Sequence, residues 1–355
     1  MTLNKDTSPS FKGQQFFIGL DVHKKNWAVT IRLQKITLKK FSMDPSPEQL
    51  YKYLTTHYPG GVYHSVYEAG FCGYWIHRLL VELGIDNIIV NAADIPTSHK
   101  EKDRRQDKID SAKLARELEN GSLECIYIPT KHQQSLKSLS RLRYQHVIHQ
   151  TRIKNRIKSF LHFHGVTIPE HFAQSYWSAA FIEWLNTIQF EYDGDKEYLN
   201  HYIKTLEYQR ESLKHLLIKI TEYCKNNTVI RYILSAPGIG IVSAFTLYAE
   251  LVDMIRFNNF DHLVSYVGLV PSTDSTGEKD VKKGLTPRYS RYVRSLLIEC
   301  AWRAVRTDPA LTLAFAKLSK RMSKQKAIIR IAKKLLNRIR YVWLNQKMYV
   351  PAVMK

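Results

Sequence analysis

The sequence predicts an α/β domain at the N-terminus, a long α-helical arm in the middle and a mainly α-helical domain at the C-terminus. Three observations support this order: three strands precede alternating helices and strands, a long basic stretch has one apolar stripe, and the remainder consists of apolar helices separated by Gly, Pro and Ser. We place the boundaries at a disordered leader over 1–15, an α/β domain over 16–129, an arm over 130–227, a C-terminal domain over 228–345 and a tail over 346–355.

The α/β domain is predicted from strand and helix signals in chain order. FFIGLDV and WAVTIRL flank a short polar turn and predict a hairpin, to which KITLKKFS adds a third antiparallel strand. Ser46 then begins an amphipathic helix, and GGVYHSVYEAG and DNIIVN are further strands. Two helices end at Gly84 and Gly121, because glycine readily adopts the left-handed conformation that ends helices. The pattern predicts a mixed sheet flanked by helices.

The arm is predicted from a helical repeat of apolar residues between about 130 and 225. Leu136, Leu139, Leu142 and Val147 recur among many Arg and Lys residues. A second helix, roughly Lys196 to Cys224, can pack against the first as an antiparallel, coiled-coil-like arm. Periodicity does not distinguish a solvated spacer from a nucleic-acid-binding surface, for which the candidates are Arg152, Lys154 and Arg156.

Charge restricts the class of partner. The chain has 355 residues, with 53 Lys and Arg against 32 Asp and Glu, and so a formal net charge of +21. Such a charge predicts a nucleic acid or an anionic surface as partner. No run of about 18 apolar residues is present, so no membrane span is expected. The N-terminus lacks an apolar signal and the four cysteines are scattered, so we expect a cytoplasmic protein. The sequence contains no GxxxxGK phosphate loop, so ATP-driven chemistry is not expected.

Four carboxylates occupy positions at which a metal site is expected. Asp21 ends the first strand, Glu68 ends a later one, and Asp107 and Asp110 lie three residues apart on one helical face. Carboxylate oxygens suit Mg²⁺, and two such ions about 4 Å apart can hold the attacking and leaving oxygens of a phosphodiester. Each acid alone has an ordinary structural explanation. Together, and in this order of strands and helices, they predict a ribonuclease-H-like nuclease site.

The segment PSTDSTG, residues 271–277, provides a candidate nucleophile in a predicted loop. Ser275 carries a hydroxyl, and neighbouring cations are available to stabilise charge on phosphoryl oxygens. The alternative is that Ser and Thr only shape a turn beside Gly277. The candidate nucleic-acid-binding cations are Lys279, Lys282, Lys283, Arg288, Arg291 and Arg294.

The segment SAPGIG, residues 235–240, predicts a tight turn between two apolar helices. Backbone N–H groups around Gly238 and Gly240 can face a phosphate at a helix N-terminus, as in a helix-hairpin-helix that contacts DNA. A plain helix-to-helix turn has the same sequence pattern.

Several motifs in fixed order resemble the DEDD transposases of bacterial insertion sequences, the IS-one-ten family related to the Piv DNA invertases. The resemblance covers about residues 16–343 and is carried by IGLDVHKK, YEAG, RRQDKIDSAKLA, APGIG, SYVGLVPSTDSTG, KKGLTPRYSRYVR and KAIIRIAKKLL. It implies a RuvC-type, ribonuclease-H-like domain in which Asp21, Glu68, Asp107 and Asp110 hold Mg²⁺. It also implies a C-terminal transposase domain in which Ser275 is the nucleophile, although the motif usually reads Ser-Ser-Gly and here reads Ser-Thr-Gly.

The resemblance also implies partners. They are DNA and a structured noncoding guide RNA encoded by the element. Because strand exchange between two duplexes needs several active sites, we expect a homodimer or tetramer that acts on DNA in the bacterial cytoplasm, at the nucleoid. Two other functions stay open: a junction-resolving endonuclease that uses metal-activated water, and a noncatalytic nucleic-acid-binding scaffold.

Overall fold

The computed structural model describes residues 10–96, 107–276, 279–287 and 289–351. Side chains are described in these ranges except at 107–109, 272–276 and 279–283. The chain forms two compact units, one ending at Ile128 and the other beginning at Pro129. Among the helices described, none is both long and apolar enough to span a bilayer.

A five-stranded mixed sheet forms the centre of the first unit. The strand order is β3-β2-β1-β4-β5, with β1, β2 and β3 antiparallel and β1, β4 and β5 parallel. This confirms the predicted mixed sheet. The strands are β1 (Gln15–Val22), β2 (Trp27–Leu33), β3 (Ile36–Met43), β4 (Val62–Glu68) and β5 (Asp86–Val90).

Within the part of this unit that the structure describes, the helices beside the sheet are α1 (Pro47–His57), α2 (Trp75–Glu82) and α3 (Asp107–Glu119). Ser46 caps α1 by accepting a hydrogen bond from the backbone N–H of Gln49, as a predicted helix start should. Phe16, Ile18 and Leu20 alternate along β1 and are fully buried in one core with residues of α1 and α2. The other face of the sheet packs against α3, through a small cluster that includes Val66 and Leu114.

Disorder was predicted for residues 1–15, but the part of this segment that the structure describes, residues 10–15, packs against the first unit. The Phe11 amide donates to the carbonyl of Pro59 at 3.0 Å. Its ring lies 5.6 Å from the ring of Phe16 and 5.5 Å from that of Tyr58. An isolated aromatic residue has no periodicity, so sequence patterns do not predict its burial. Residues 1–9 of the predicted leader lie outside the described ranges.

The second unit begins with two helices of 33 residues each that pack side by side. They are α4 (Lys131–Phe163) and α6 (Asp193–Lys225), and the short α5 (Ala179–Thr187) lies between them in the chain. The helices are antiparallel, since contacts join His146 to Gln209 and Phe160 to Tyr198. Buried residues from all three helices form one core, namely Ile153, Ile157, Leu161, Phe181, Ile182, Leu185, Leu199, Ile203 and Leu206.

The remaining elements form a mainly helical core. Leu136 of α4 and Ile220 and Cys224 of α6 are buried in the same cluster as the C-terminal helices. The base of the arm is therefore part of this core. The helices are α7 (Thr228–Leu234), α8 (Ile241–Leu251), α9 (Phe260–Val267), α10 (Arg291–Thr307), α11 (Pro309–Ser319) and α12 (Lys324–Asn345).

The segment around Ser275, predicted as a loop, is a β-hairpin. Strands β6 (Pro271–Thr276) and β7 (Lys279–Leu285) are antiparallel, and Ser275 is paired with Asp280. The prediction of a loop was wrong because these strands are mostly polar. They lack the alternation of apolar and polar residues from which a strand is predicted.

Candidate active site

The register of the sheet places Asp21 and Glu68 beside each other. Leu20 on β1 is paired with Tyr67 on the parallel strand β4, so Asp21 and Glu68 are the next residues on two neighbouring strands. Neighbouring strands lie about 4.8 Å apart. Asp21 is two residues beyond Gly19, and Glu68 two beyond Val66, and both Gly19 and Val66 contact α3. Both carboxylates therefore lie on the α3 face.

Close packing fixes α3 over β1. A Cβ atom at Gly19 would lie only 2.0 Å from the carbonyl oxygen of Ser111 and 2.5 Å from the amide nitrogen of Ala115. The Ser111 hydroxyl is also within 3.0 Å of the Thr30 hydroxyl, in a buried hydrogen bond. At the far end of α3, Arg32 Nε donates to Glu119 Oε2 at 2.7 Å. These contacts determine where the first turn of α3, with Asp107 and Asp110, meets the sheet.

Asp110 and Asp21 lie close enough to Glu68 to change its ionisation. Partial desolvation raises the pKa of Glu68, and the negative charges of Asp110 and Asp21 raise it further, while Lys113 opposes them. The structure thus brings together three of the four predicted acids. The Asp107 backbone begins α3 three residues before Asp110, and its side chain lies outside the described set.

The chemistry of this acid cluster, defined as Asp21, Glu68 and Asp110, suits a hard divalent cation. Its donors are carboxylate oxygens, and a cation would offset the negative charges of Asp110 and Asp21, which add to the desolvation that raises the pKa of Glu68. Among the side chains described, no three His, Cys, Asp or Glu residues form a complete metal-holding group. To hold a metal ion, these three acids would have to lie closer together or be joined by the carboxylate of Asp107.

Two residues in the turn that follows β1 were not predicted from the sequence. His23 Nε2 lies 3.3 Å from Asp21 Oδ2, and the His23 side chain is about half exposed, at 45%. Lys24 Nζ lies 5.9 Å from the centre of the Phe71 ring, which is itself exposed. The available signal was their position in the polar turn directly after Asp21.

The predicted nucleophile, Ser275, and the cations near it belong to the second unit. Ser275 is the penultimate residue of β6, at the end of the hairpin where the two strands are joined. Its side chain, and those of Lys279, Lys282 and Lys283, lie outside the described set, as does the whole of Arg288. Arg291 begins α10 and is exposed.

Arg294, predicted to bind nucleic acid, has partners within the protein. One guanidinium nitrogen donates to the carbonyl of Thr286 at 2.9 Å and lies 3.4 Å from that of Gly268. The guanidinium carbon lies 3.3 Å from the centre of the Tyr289 ring. These contacts give Arg294 a structural role that its position in a basic segment did not indicate.

The turn at SAPGIG joins α7 to α8. Gly238 has a φ angle of +75°, and a Cβ there would lie 2.5 Å from the carbonyl oxygen of Cys300. Close packing against α10 therefore accounts for this glycine. Gly240 is exposed at the N-terminus of α8, so it stays a candidate for phosphate contact.

The candidate cations on the arm differ in exposure. Arg152 and Arg156 are exposed on α4, and Arg156 lies 5.6 Å from the centre of the Tyr202 ring. Lys154 is half-buried, with its ammonium group 5.7 Å from the centre of the Trp177 ring. Desolvation lowers the pKa of Lys154, and the charges of Arg210 and Lys158 lower it further. A positively charged surface of this kind favours an anionic partner.

Replacing Glu68 with glutamine is expected to stabilise the metal-free protein at neutral pH. A carboxyl whose pKa is raised by folding destabilises the fold when ionised, at pH values above the folded pKa. The gain should therefore be present at pH 7.5 and shrink as the pH falls through the folded pKa towards the ordinary value of 4.5. Urea unfolding in EDTA, at pH 7.5 and at pH 4.5, measures this gain in the free energy of unfolding.

The control for this measurement is Glu82→Gln, which changes an exposed glutamate of the same unit. It should show no comparable gain at pH 7.5. A Glu68→Gln protein that is less stable than wild type at pH 7.5 would contradict the raised pKa of Glu68 in the folded protein.

Comparison with known proteins covers both units. The model of the DEDD transposases of IS110 elements matches residues 18–165, which contain all four predicted acids. The model described as the IS116/IS110/IS902 transposase family matches residues 230–317, which contain the turn at Gly238 and the hairpin with Ser275.

Curated relatives agree with these matches. A putative transposase of Sinorhizobium fredii is 28% identical over 66% of this chain and 57% of its own length. The transposase of insertion sequence IS1533 of Leptospira borgpetersenii is 25% identical over 91% of this chain and 96% of its own length. That of IS1111A of Coxiella burnetii is 24% identical over 66% of this chain and 63% of its own length. With both family models matched in the expected order, this chain belongs to the IS110 family of insertion-sequence transposases.

Proposed function

We propose that this protein is a DNA transposase that cuts and rejoins DNA strands, using a Mg²⁺-binding site of four acids and Ser275 as nucleophile. The observation that carries the proposal is the acid cluster. Residues separated by up to 89 positions in the chain lie on one face of the sheet, where partial desolvation and, after it, the negative charges of Asp110 and Asp21 raise the pKa of Glu68. A carboxyl whose pKa is raised by desolvation and by neighbouring carboxylates is typical of functional sites. The strand order and the position of α3 also support a ribonuclease-H-like, RuvC-type domain.

The acids have a binding role in this proposal. Asp21, Glu68, Asp107 and Asp110 would hold Mg²⁺, which when bound supplies positive charge to the reacting phosphate oxygens. The tight contact between Gly19 and α3 keeps the carboxylates of strand and helix together. Exposure of Glu68 leaves the cluster accessible to a DNA backbone.

Ser275 has the covalent role. Its hydroxyl oxygen attacks the phosphorus of a DNA phosphodiester, the hydroxyl proton is lost, and the bond from phosphorus to the deoxyribose oxygen breaks as that oxygen gains a proton. The product is a phosphoserine ester. Attack by the hydroxyl of another DNA strand on this ester rejoins DNA and restores Ser275, so no external energy source is needed.

The partners are DNA and a structured guide RNA, with the protein acting as a homodimer or tetramer. The net charge of +21 and the exposed Arg152, Arg156 and Arg291 support binding of polyanions. The helix-hairpin-helix-like turn from α7 to α8 offers Gly240 as a backbone contact to phosphate. Two duplexes exchanging strands require several active sites, which supports an oligomer.

The acid cluster is tested by Asp110→Asn. In a plasmid assay that carries the element ends and their noncoding flank, we expect strand exchange to fall at least about 10²-fold, because a lost charge there weakens transition-state stabilisation. EDTA should stop exchange by the wild type, and Asp44→Asn, an exposed acid of the same unit, should be neutral.

Undiminished exchange by Asp110→Asn, or in EDTA, would contradict the metal role of the cluster. DNA ends that are hydrolysed and never linked to protein would instead identify a junction-resolving endonuclease. Binding without any cutting by the wild type would identify a scaffold.

A further inference from the structure

Arg294 lies at the open end of the hairpin that carries Ser275. Strand β6 leaves the helical core after Gly268, and β7 returns to it at Thr286. Arg294, on the first turn of α10, donates to the carbonyl of Thr286 at 2.9 Å and lies 3.4 Å from that of Gly268. One side chain therefore bridges the two chain segments from which the hairpin emerges.

Other contacts connect the base of the hairpin, which is the open end near Gly268 and Thr286, to the helical core. The Thr286 amide donates to the carbonyl of Val270 at 3.1 Å, and the Ser290 amide donates to that of Tyr266 at 3.3 Å. The Tyr266 hydroxyl reaches the carbonyl of Glu250 at 3.4 Å. Glu250 is buried and accepts two hydrogen bonds from Arg141 on α4, at 2.7 and 3.0 Å. A series of hydrogen bonds thus links the base of the hairpin to Glu250 and Arg141 in the helical core.

We propose that Arg294 is a positioning residue for Ser275, which it holds in place by fixing the base of the hairpin. The inference rests on the proposed role of Ser275 as nucleophile. Arg294 acts through the backbone carbonyls of Thr286 and Gly268 and does not itself contact DNA in this role.

The geometry of the hairpin explains the size of the expected effect. From Pro271 to Ser275 the strand advances by four residues, or about 13 Å at about 3.3 Å per residue. A tilt of about 10° at the base would therefore move the far end by about 2 Å. A displacement of about 1 Å at a reacting group can reduce a rate about 10²-fold.

The contacts of Arg294 need arginine and not only a positive charge. One nitrogen of its planar guanidinium reaches both carbonyls while the guanidinium plane stacks on a ring, whereas a lysine ammonium is a compact point charge that does not stack in this way. The stacking partner is Tyr289, 3.3 Å from ring centre to guanidinium carbon. A lysine at this position would keep the charge for DNA binding but lose the bridge.

The test compares Arg294→Lys with Arg303→Lys, a matched change at an exposed arginine of the same helix that has no role in this proposal. The measurements, on the full chain, are DNA affinity, the rate of covalent protein–DNA linkage at saturating DNA, and hydrogen exchange of the Thr286 and Ser290 amides. For Arg294→Lys we expect a loss of at least about 10-fold in linkage rate, faster exchange of both amides and less than a 2-fold change in affinity. Arg303→Lys should match wild type in all three.

A full linkage rate with unchanged amide exchange in Arg294→Lys would overturn the proposal. So would a loss of affinity with a normal rate at saturation, which would assign Arg294 to DNA binding. If the wild type forms no covalent linkage, the proposed chemistry of Ser275 fails. In that case amide exchange still decides whether Arg294 fixes the hairpin: faster exchange supports the bridge, and unchanged exchange overturns it.

Discussion

Replacing Ser275 with alanine should abolish covalent linkage between protein and DNA, with a loss of about 10³-fold or more in strand exchange. The reason is that no other step in the proposed chemistry forms the phosphoester bond to protein. DNA affinity should change by less than about 2-fold, since only one oxygen atom is removed from a segment rich in Lys. The linkage is measured as labelled DNA that stays with the protein in denaturing detergent and is released by protease.

The matched control is Thr276→Ala, which removes the neighbouring hydroxyl from the same strand, β6. It should retain linkage, with at most a modest loss of rate. If Ser275→Ala still links DNA and Thr276→Ala does not, the nucleophile is Thr276. If both variants link DNA as the wild type does, the hairpin does not carry the nucleophile.

Replacing Gly19 with alanine should have the largest effect on the fold of the first unit. The added Cβ would lie 2.0 Å from the carbonyl oxygen of Ser111 and 2.5 Å from the amide nitrogen of Ala115. These are backbone atoms of α3, so they cannot move away by side-chain rotation, and α3 must shift by about 1 Å or more. We expect a loss of about 3 kcal/mol or more in the free energy of unfolding.

The same substitution should reduce strand exchange even in protein that stays folded. A shift of α3 moves Asp107 and Asp110 relative to Asp21 and Glu68, and about 1 Å is enough for a loss of about 10²-fold. Urea unfolding and the exchange assay, both at low temperature, measure the two effects.

Gly194→Ala is the control for Gly19→Ala. Gly194 lies in the first turn of α6, and no atom lies within 4 Å of an added Cβ. This variant should be neutral or slightly more stable, because alanine favours helix. A stable Gly19→Ala protein with normal exchange would show that α3 need not approach β1 so closely.

Most elements of the first unit could be predicted because their signals are local. Alternation in FFIGLDV and WAVTIRL, Ser46 as a cap, and Gly84 and Gly121 after helices each depend on a few neighbouring residues.

In the second unit, the helices α9 and α11 were not predicted from the sequence. Helix α9 has only eight residues, too few for a clear helical period, although Asn259 caps it and Gly268 ends it. The hairpin at Ser275 was missed because its strands are polar.

The sequence by itself determined the order of most elements and the excess of positive charge, and it singled out four candidate acids. Only the tertiary structure decided that Asp21 and Glu68 are level on adjacent strands, that α3 approaches β1 at Gly19, and that Arg294 bonds to the base of the hairpin. The physical reason is the range of the interactions. Periodicity and capping act within a few residues, whereas strand register, close backbone approach and the hydrogen bonds of a charged side chain depend on residues far apart in the chain.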